Sequence, residues 1–174
     1  DDICASGGYY VAVAADRIYV DRASIIGSIG VRMDSFGFTR LLDRFGVERR
    51  LYTAGANKGM LDPFSPVQPQ QRAYLQQMLD EIHKQFIAAV REGRGARLKE
   101  TPQTFSGLFW TGEQRVKLGL ADGFGTVDTV ARNVIGAEDL VDYTVKENVA
   151  ERLARRFGTA HAAKFGDAVE KAAG

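Results

Sequence analysis

Residues 3–31 read Ile-Cys-Ala-Ser-Gly-Gly-Tyr-Tyr-Val-Ala-Val-Ala-Ala-Asp-Arg-Ile-Tyr-Val-Asp-Arg-Ala-Ser-Ile-Ile-Gly-Ser-Ile-Gly-Val, and their pattern decides the class of fold. From Ile3 to Ala15 small and apolar residues dominate, with Gly7-Gly8 near the start. That predicts a buried helix reached through a tight turn. Arg17 to Val20 reads as a short strand. Ser24 to Met33, β-branched residues interrupted by Gly27 and Gly30, reads as a second buried strand with close backbone approaches. Strands alternating with helices imply an α/β sheet built largely from crossover units. The interior character of the chain so close to Asp1 leads us to expect that the first strands of the sheet are missing from this sequence.

Further along, Phe38, Leu41, Leu42 and Phe45 recur at i, i+3, i+4, i+7, an amphipathic helix stopped by Gly46. Val47 to Thr53 reads as the next strand. Ala54 to Lys58, Gly59 and then Pro63, Pro66 and Pro69 predict a long irregular loop, since proline fixes φ and lacks a donor. A long helix follows, with Leu75, Met78, Leu79, Ile82, Phe86 and Val90 on one face and Gly93 near its end. Thr111-Gly112-Glu113-Gln114 has the pattern of a capping box, opening a short helix that Gly119 closes. Residues 126–135 read as helical, as do residues 146–157, where Val149, Ala150, Leu153 and Phe157 form one stripe. The organisation expected is a main domain over 1–145 and a helical tail over 146–174.

Composition narrows the function classes. The chain has 174 residues, 45% hydrophobic and 26% charged, the balance of an ordinary globular protein rather than a disordered or fibrous one. A net charge of +1 gives no global field that would favour nucleic acid. Cys4 is the single cysteine, so neither an internal disulfide nor a cysteine-rich metal site is available. The longest run without a charge is the 13 residues Ile3 to Ala15, short of the ~20 apolar residues that cross a bilayer. Opening on Asp1-Asp2 without Met, the sequence reads as a fragment whose signal or membrane anchor would lie upstream.

Ala5-Ser6-Gly7-Gly8 is the first candidate for chemistry. A serine at a sharp turn into a helix has an exposed hydroxyl, and the free N–H groups of the helix start suit a developing oxyanion, with the Gly7 amide as the natural donor. Cys4 stands where Gly-x-Ser-x-Gly would require glycine, so the α/β-hydrolase motif fails. Taken alone, the tetrapeptide is more often a serine N-cap followed by packing glycines. A nucleophilic serine also needs a base. The two histidines are His83, in the long helix, and His161, in the polar tail, and neither sits in a triad-like context. Lysine is the alternative. An ordinary lysine amine titrates near 10.4, so a base at neutral pH requires roughly 4 kcal/mol of desolvating environment. Lys58 has uncharged neighbours from Thr53 to Leu61, whereas Lys84, Lys99, Lys117 and Lys164 lie in charged helical or tail sequence. Considered by itself, Lys58 is still more often a loop lysine.

Together these segments carry a resemblance. Asp2 to Tyr10, then Ala15-Asp16-Arg17-Ile18, then Ser24 to Val31 resemble the signal peptide peptidase A family of serine proteases with a Ser/Lys dyad. Thr53 to Lys58 resembles that family's lysine loop, and Phe109 to Gln114 with Leu118 to Asp122 its downstream helix start. The resemblance implies Ser6 as nucleophile and Lys58, 52 positions downstream, as general base. It implies Ser28 as the serine that orients the lysine amine and Gly7 as an oxyanion donor. Tyr9, Ile29 and Met60 become candidates for an apolar substrate groove. The fold implied is that of caseinolytic protease and crotonase, with repeated β-β-α layers. No metal or cofactor is implied. The substrates would be residual signal peptides and other apolar peptides. The partners would be further copies of the chain in a homo-oligomer and, through a segment absent from this sequence, the plasma membrane, with the catalytic domain on its extracytoplasmic, periplasmic side.

Three other readings compete. A catalytically inactive scaffold or regulator would keep the fold without the chemistry. An acyl-coenzyme A enzyme of the crotonase type would use the same oxyanion logic and be indifferent to Ser6→Ala. A membrane-surface module would rest on Lys146, Arg152, Arg155 and Arg156 around the tail stripe.

Overall fold

A computed structural model describes residues 3–137 and 139–143. The chain divides into two units, residues 1–136 and 137–174, and every described helix and strand belongs to the first. The helix expected over 146–157 lies outside the described residues.

The fold is mixed α/β. Its first strand, β1 (Ile3–Ala5), runs parallel to β2 (Ile25–Gly27), with Ile3 opposite Ile25 and Ala5 opposite Gly27. The next partner of β2 is β3 (Phe109–Thr111), antiparallel, with Ile26 opposite Trp110. A separate parallel pair joins β4 (Tyr19–Val20) to β5 (Gly123–Phe124). Between β1 and β4 the chain forms α1 (Gly7–Ala12). The stretch expected to be one helix from Ile3 is therefore a strand, a turn and a helix: Ile3 to Ala5 find a ladder partner in β2, and the backbone reverses at Ser6.

Fully buried Tyr9, Ile26, Ile29, Val90 and Leu120 form the centre of the core, joined by Val13, Ile18, Val20 and Phe86. Each such side chain contributes about 1.5–3 kcal/mol by leaving water. The long helix α3 (Pro69–Arg94) supplies Phe86 and Val90. Pro69 does not stay in the loop; it occupies the first turn, where its missing N–H costs nothing. Near its other end α3 lies so close to α1 that a Cβ on Gly93 would run into the carbonyl of Val13.

Two expectations fail for want of a partner. Residues 47–53 form no strand, and Val47, Leu51 and Tyr52 are exposed. β-branched and aromatic content marks a surface suited to pairing, and no described strand runs alongside to accept it. The helix α2 (Thr39–Arg44) forms where its periodicity places it, but it buries none of its residues.

The segment 109–125 positions the sheet. Thr111 stands at the N-cap of α4 (Gly112–Val116) without a side-chain cap bond, because carbonyls of the neighbouring segment take two first-turn amides: Gly112 N–H donates to Ser24 O at 2.8 Å and Glu113 N–H to Arg22 O at 3.2 Å. A reciprocal capping box does occur, at Thr126 and Thr129 of α5 (Val127–Val130), which continues as a π turn to Ile135.

Candidate active site

Ser6 joins β1 to α1 with φ 52° and ψ −124°. This backbone is left-handed in φ and costs a non-glycine residue of order 1–3 kcal/mol, so the surroundings must hold it. They do so from both sides. Ser6 N–H donates to Gly27 O at 2.8 Å, extending the β1–β2 ladder, and Tyr10 N–H donates to Ser6 O at 2.9 Å, starting α1. The Gly-x-Ser-x-Gly letters are absent, but the strand–strained serine–helix geometry that such motifs serve is present. Ser6, Gly7 and Gly8 are exposed, and a Cβ at either glycine would meet nothing within 4 Å. As the first residue of α1, Gly7 carries an N–H with no intrahelical acceptor.

Ser28 repeats the strain, with φ 52°. It ends β2: its N–H donates to Leu108 O at 2.7 Å and its carbonyl accepts from Gly30 N–H at 2.9 Å. This turn is why the predicted strand 24–33 stops at Gly27. The close approaches expected at the two glycines are real, since a Cβ at Gly27 would lie 2.8 Å from the Trp110 ring and one at Gly30 3.0 Å from Gly107 Cα. Ser6 and Ser28 open onto one cavity of about 760 Å³, whose far wall is α3 through Gln76, Leu79, Asp80 and His83.

Lys58 is not in that cavity. It sits on a turn, its N–H donating to Gly55 O at 3.1 Å, and its residue is exposed. Its neighbours Ala56 and Gly59 line a second cleft of about 430 Å³, walled also by Met33, Phe36, Val67 and Leu75. Gln76 and Leu79 border both cavities, so the second cleft, lined by apolar and polar side chains alike, adjoins the serine cavity along α3. Within a single chain the structure brings Ser6 and Ser28 together and leaves Lys58 apart from them.

Two groove candidates are corrected. Tyr9 is fully buried and its hydroxyl donates to Leu120 O at 2.8 Å, because the third position of α1 faces the sheet. Burial accordingly raises the Tyr9 phenol above its usual range. Ile29 is equally a core side chain. Met60 is half-buried between Gly59 and Leu61, which line the second cleft where Met60 does not.

By sequence, His83 is weighed as a base and set aside as an ordinary helix histidine, and Asp80 is not singled out. The signal was there: Gln76, Leu79, Asp80 and His83 fall at i, i+3, i+4, i+7 on one face of α3. His83 Nε2 lies 3.1 Å from Ile29 O, and since a carbonyl only accepts, the ring carries its proton on Nε2.

Asp122 ties three elements. Its Oδ2 accepts from Ile18 N–H at 2.7 Å and Arg94 Nη1 at 2.8 Å, and its Oδ1 from Arg97 Nη1 at 3.0 Å. Partial burial pushes the carboxyl up, but the hydrogen bonds from Arg94 and Ile18 and the charges of both arginines outweigh it and hold the group at about 2. Arg115 stacks on Trp110 with its guanidinium carbon 3.0 Å from the ring centroid, and desolvation lowers it to about 10. Burial also pushes the Cys4 thiol up. Among the described residues no three His, Cys, Asp or Glu side chains are placed to hold a metal, and no helix is long and apolar enough to cross a membrane.

With this geometry in place, the model of Peptidase family S49 matches residues 1–140. The chain belongs to peptidase family S49. The resemblance to signal peptide peptidase A read from the sequence is thereby established at the level of family. The relatives carry different names. A Brucella abortus protein named Na(+)/H(+) antiporter NhaA is 49% identical over 136 residues, covering 78% of this chain and 18% of that protein. A Haemophilus influenzae protein named "Probable protease SohB" is 30% identical over 158 residues, 91% of this chain and 44% of its own length. The Arabidopsis thaliana "Serine protease SPPA, chloroplastic" is 26% identical over 125 residues, 71% of this chain and 18% of its own. The S49 chain thus spans under half of each of these relatives, and the antiporter name belongs to a protein of which it matches less than a fifth.

Proposed function

We propose that this S49 chain is the peptidase part of a serine endopeptidase in which Ser6 is the nucleophile and Lys58 the general base. The observation that supports it best is the strained backbone of Ser6 at an exposed strand-to-helix turn, beside open space at Gly7. Strain persists where the surroundings over-determine it, and such sites cluster at reacting residues. In the reaction, the neutral Lys58 amine takes the Ser6 hydroxyl proton as Oγ attacks a peptide carbonyl, and the Gly7 N–H stabilises the oxyanion. The protonated amine then delivers its proton to the leaving nitrogen, and water, deprotonated in turn by Lys58, resolves the acyl-enzyme. Ser28, in the same cavity as Ser6, orients the amine.

For this to happen the Lys58 amine has to reach a Ser6 hydroxyl that it does not approach within one chain. A homo-oligomer supplies the means, with a neighbouring copy closing the site. The exposed Phe36, Phe45, Val47, Leu51, Tyr52 and Val67 around the lysine loop are the kind of apolar surface that such assembly covers. The adjoining cleft offers Met33, Phe36, Val67 and Leu75 as apolar contacts for an extended segment, and residual signal peptides are the substrate class proposed. The fold proposed is the layered β-β-α architecture of caseinolytic protease and crotonase, acting at the extracytoplasmic face of the plasma membrane.

The inactive-scaffold reading draws on the same separation of Ser6 and Lys58. Hydrolysis of an internally quenched apolar peptide by wild type, Ser6→Ala, Lys58→Ala and an equimolar mixture of the two variants distinguishes the readings. The proposal predicts activity in wild type, none in either variant and partial recovery in the mixture. Wild-type activity unchanged in both variants would overturn it, and a folded but inactive wild type would favour the scaffold.

A further inference from the structure

The segment Ser28-Ile29-Gly30 is clamped from two sides. On one, Ser28 N–H donates to Leu108 O, and Gly30 lies so near Gly107 that it leaves no room for a side chain without displacement. On the other stands His83 of α3, with Nε2 3.1 Å from Ile29 O. Among the described residues this carbonyl has the His83 ring, and no backbone N–H, as its partner. The left-handed φ of Ser28 is therefore held by two backbone bonds and one imidazole.

We propose that His83 is a positioning residue of the S49 site: its Nε2–H, donated to Ile29 O, fixes the backbone turn at Ser28 and so sets where the Ser28 side chain stands in the cavity it shares with Ser6. The inference rests on the reading of Ser6 as nucleophile and Ser28 as the residue that orients the base. His83 itself does not serve as that base, because the nitrogen a triad histidine turns toward its serine is here engaged by Ile29 O. The ring is anchored on the far side of the cavity, on a 26-residue helix whose later turns, Phe86 and Val90, are locked in the core. Through the imidazole, the core's rigidity reaches a strained serine that lies 55 positions earlier in sequence.

The test uses the full chain and an internally quenched peptide with a leucine-rich centre, reading kcat and KM for wild type, His83→Phe, His83→Gln, Ser28→Ala and the double variant His83→Phe/Ser28→Ala, with Ser6→Ala as control. Losing one hydrogen bond that orders the turn predicts a fall in kcat of about 3- to 10-fold in His83→Phe with KM within about twofold. His83→Gln, which keeps an N–H donor, recovers most of the loss. In the Ser28→Ala background His83→Phe costs less than about twofold, since the residue through which it acts is gone. An equal loss from His83→Phe in both backgrounds, or an unchanged kcat in His83→Phe, overturns the positioning role while leaving the Ser6 reading intact. Full activity in Ser6→Ala overturns both. If His83→Phe fails to fold, His83→Ala read with and without added imidazole replaces it, and rescue of kcat by imidazole is the expected result, with no rescue overturning the role.

Discussion

Replacing Asp122 by Asn exchanges one carboxylate oxygen for an amide nitrogen at the point where α3, the segment before β4 and the segment before β5 meet. The carboxylate accepts from Ile18 N–H and from Arg94 through Oδ2 and from Arg97 through Oδ1. Arg94 carries the larger share of the consequence, because its side chain is 0% exposed while that of Arg97 is 42% exposed. Removing one partner of a buried pair strands the other and costs about 3–5 kcal/mol, whereas a half-exposed pair contributes under about 1 kcal/mol. Against a total stability of about 5–15 kcal/mol, Asp122→Asn should lower the urea midpoint at pH 7 by roughly a fifth or more with an unchanged slope. The pH dependence gives a second reading. Asp122 titrates at about 2 in the folded protein against an ordinary 3.8, so its stabilisation is fully present above pH 4 and is lost as pH falls toward 2. That difference corresponds to about 2 kcal/mol, less than the substitution costs, since protonation leaves oxygens in place for Arg94 while Asn offers only one. Stability of wild type and variant should converge between pH 4 and pH 2. A variant within about 0.5 kcal/mol of wild type at pH 7, or a gap that is the same at both ends of that range, would refute the reasoning.

Other substitutions probe the frame and the site. Gly93→Ala drives a methyl group into Val13 O at the α1–α3 contact, and thermal unfolding should show a loss of about 1–3 kcal/mol or more. Gly119→Ala combines φ +78° with a clash against Arg97 O and should cost at least as much by the same measurement. Ser28→Ala should lower kcat at least tenfold without loss of fold by circular dichroism, as the base loses its orienting hydroxyl.

What the sequence made legible was local. The spacing of Phe86 and Val90 marked the buried face of α3, the proline cluster marked the irregular loop, and Gly27 and Gly30 marked close approaches, each because a short-range steric or periodic rule leaves a trace in consecutive residues. Ser6 was legible as a turn serine, but not its strain, which depends on Gly27 O across the sheet. What the sequence hid depends on partners distant in the chain. Tyr9 reads as a candidate for the substrate groove until its hydroxyl is seen on Leu120 O, 111 residues on. His83 reads as a helix histidine until Ile29 O is seen beside it, 54 residues away. Val47 to Thr53 has the residues of a strand and no described edge to pair with. Thr111 has the letters of a capping box, yet Ser24 O and Arg22 O had already taken two of the amides it would serve near.

The central claim is that Ser6 is a working nucleophile, and covalent capture tests it most directly. The full chain is incubated at mildly alkaline pH with a peptide aldehyde bearing an apolar sequence, and its intact mass is measured for wild type and Ser6→Ala. The account predicts a mass increase equal to one aldehyde in wild type and none in Ser6→Ala. An adduct of equal yield in both, or no adduct on folded wild type, would contradict it.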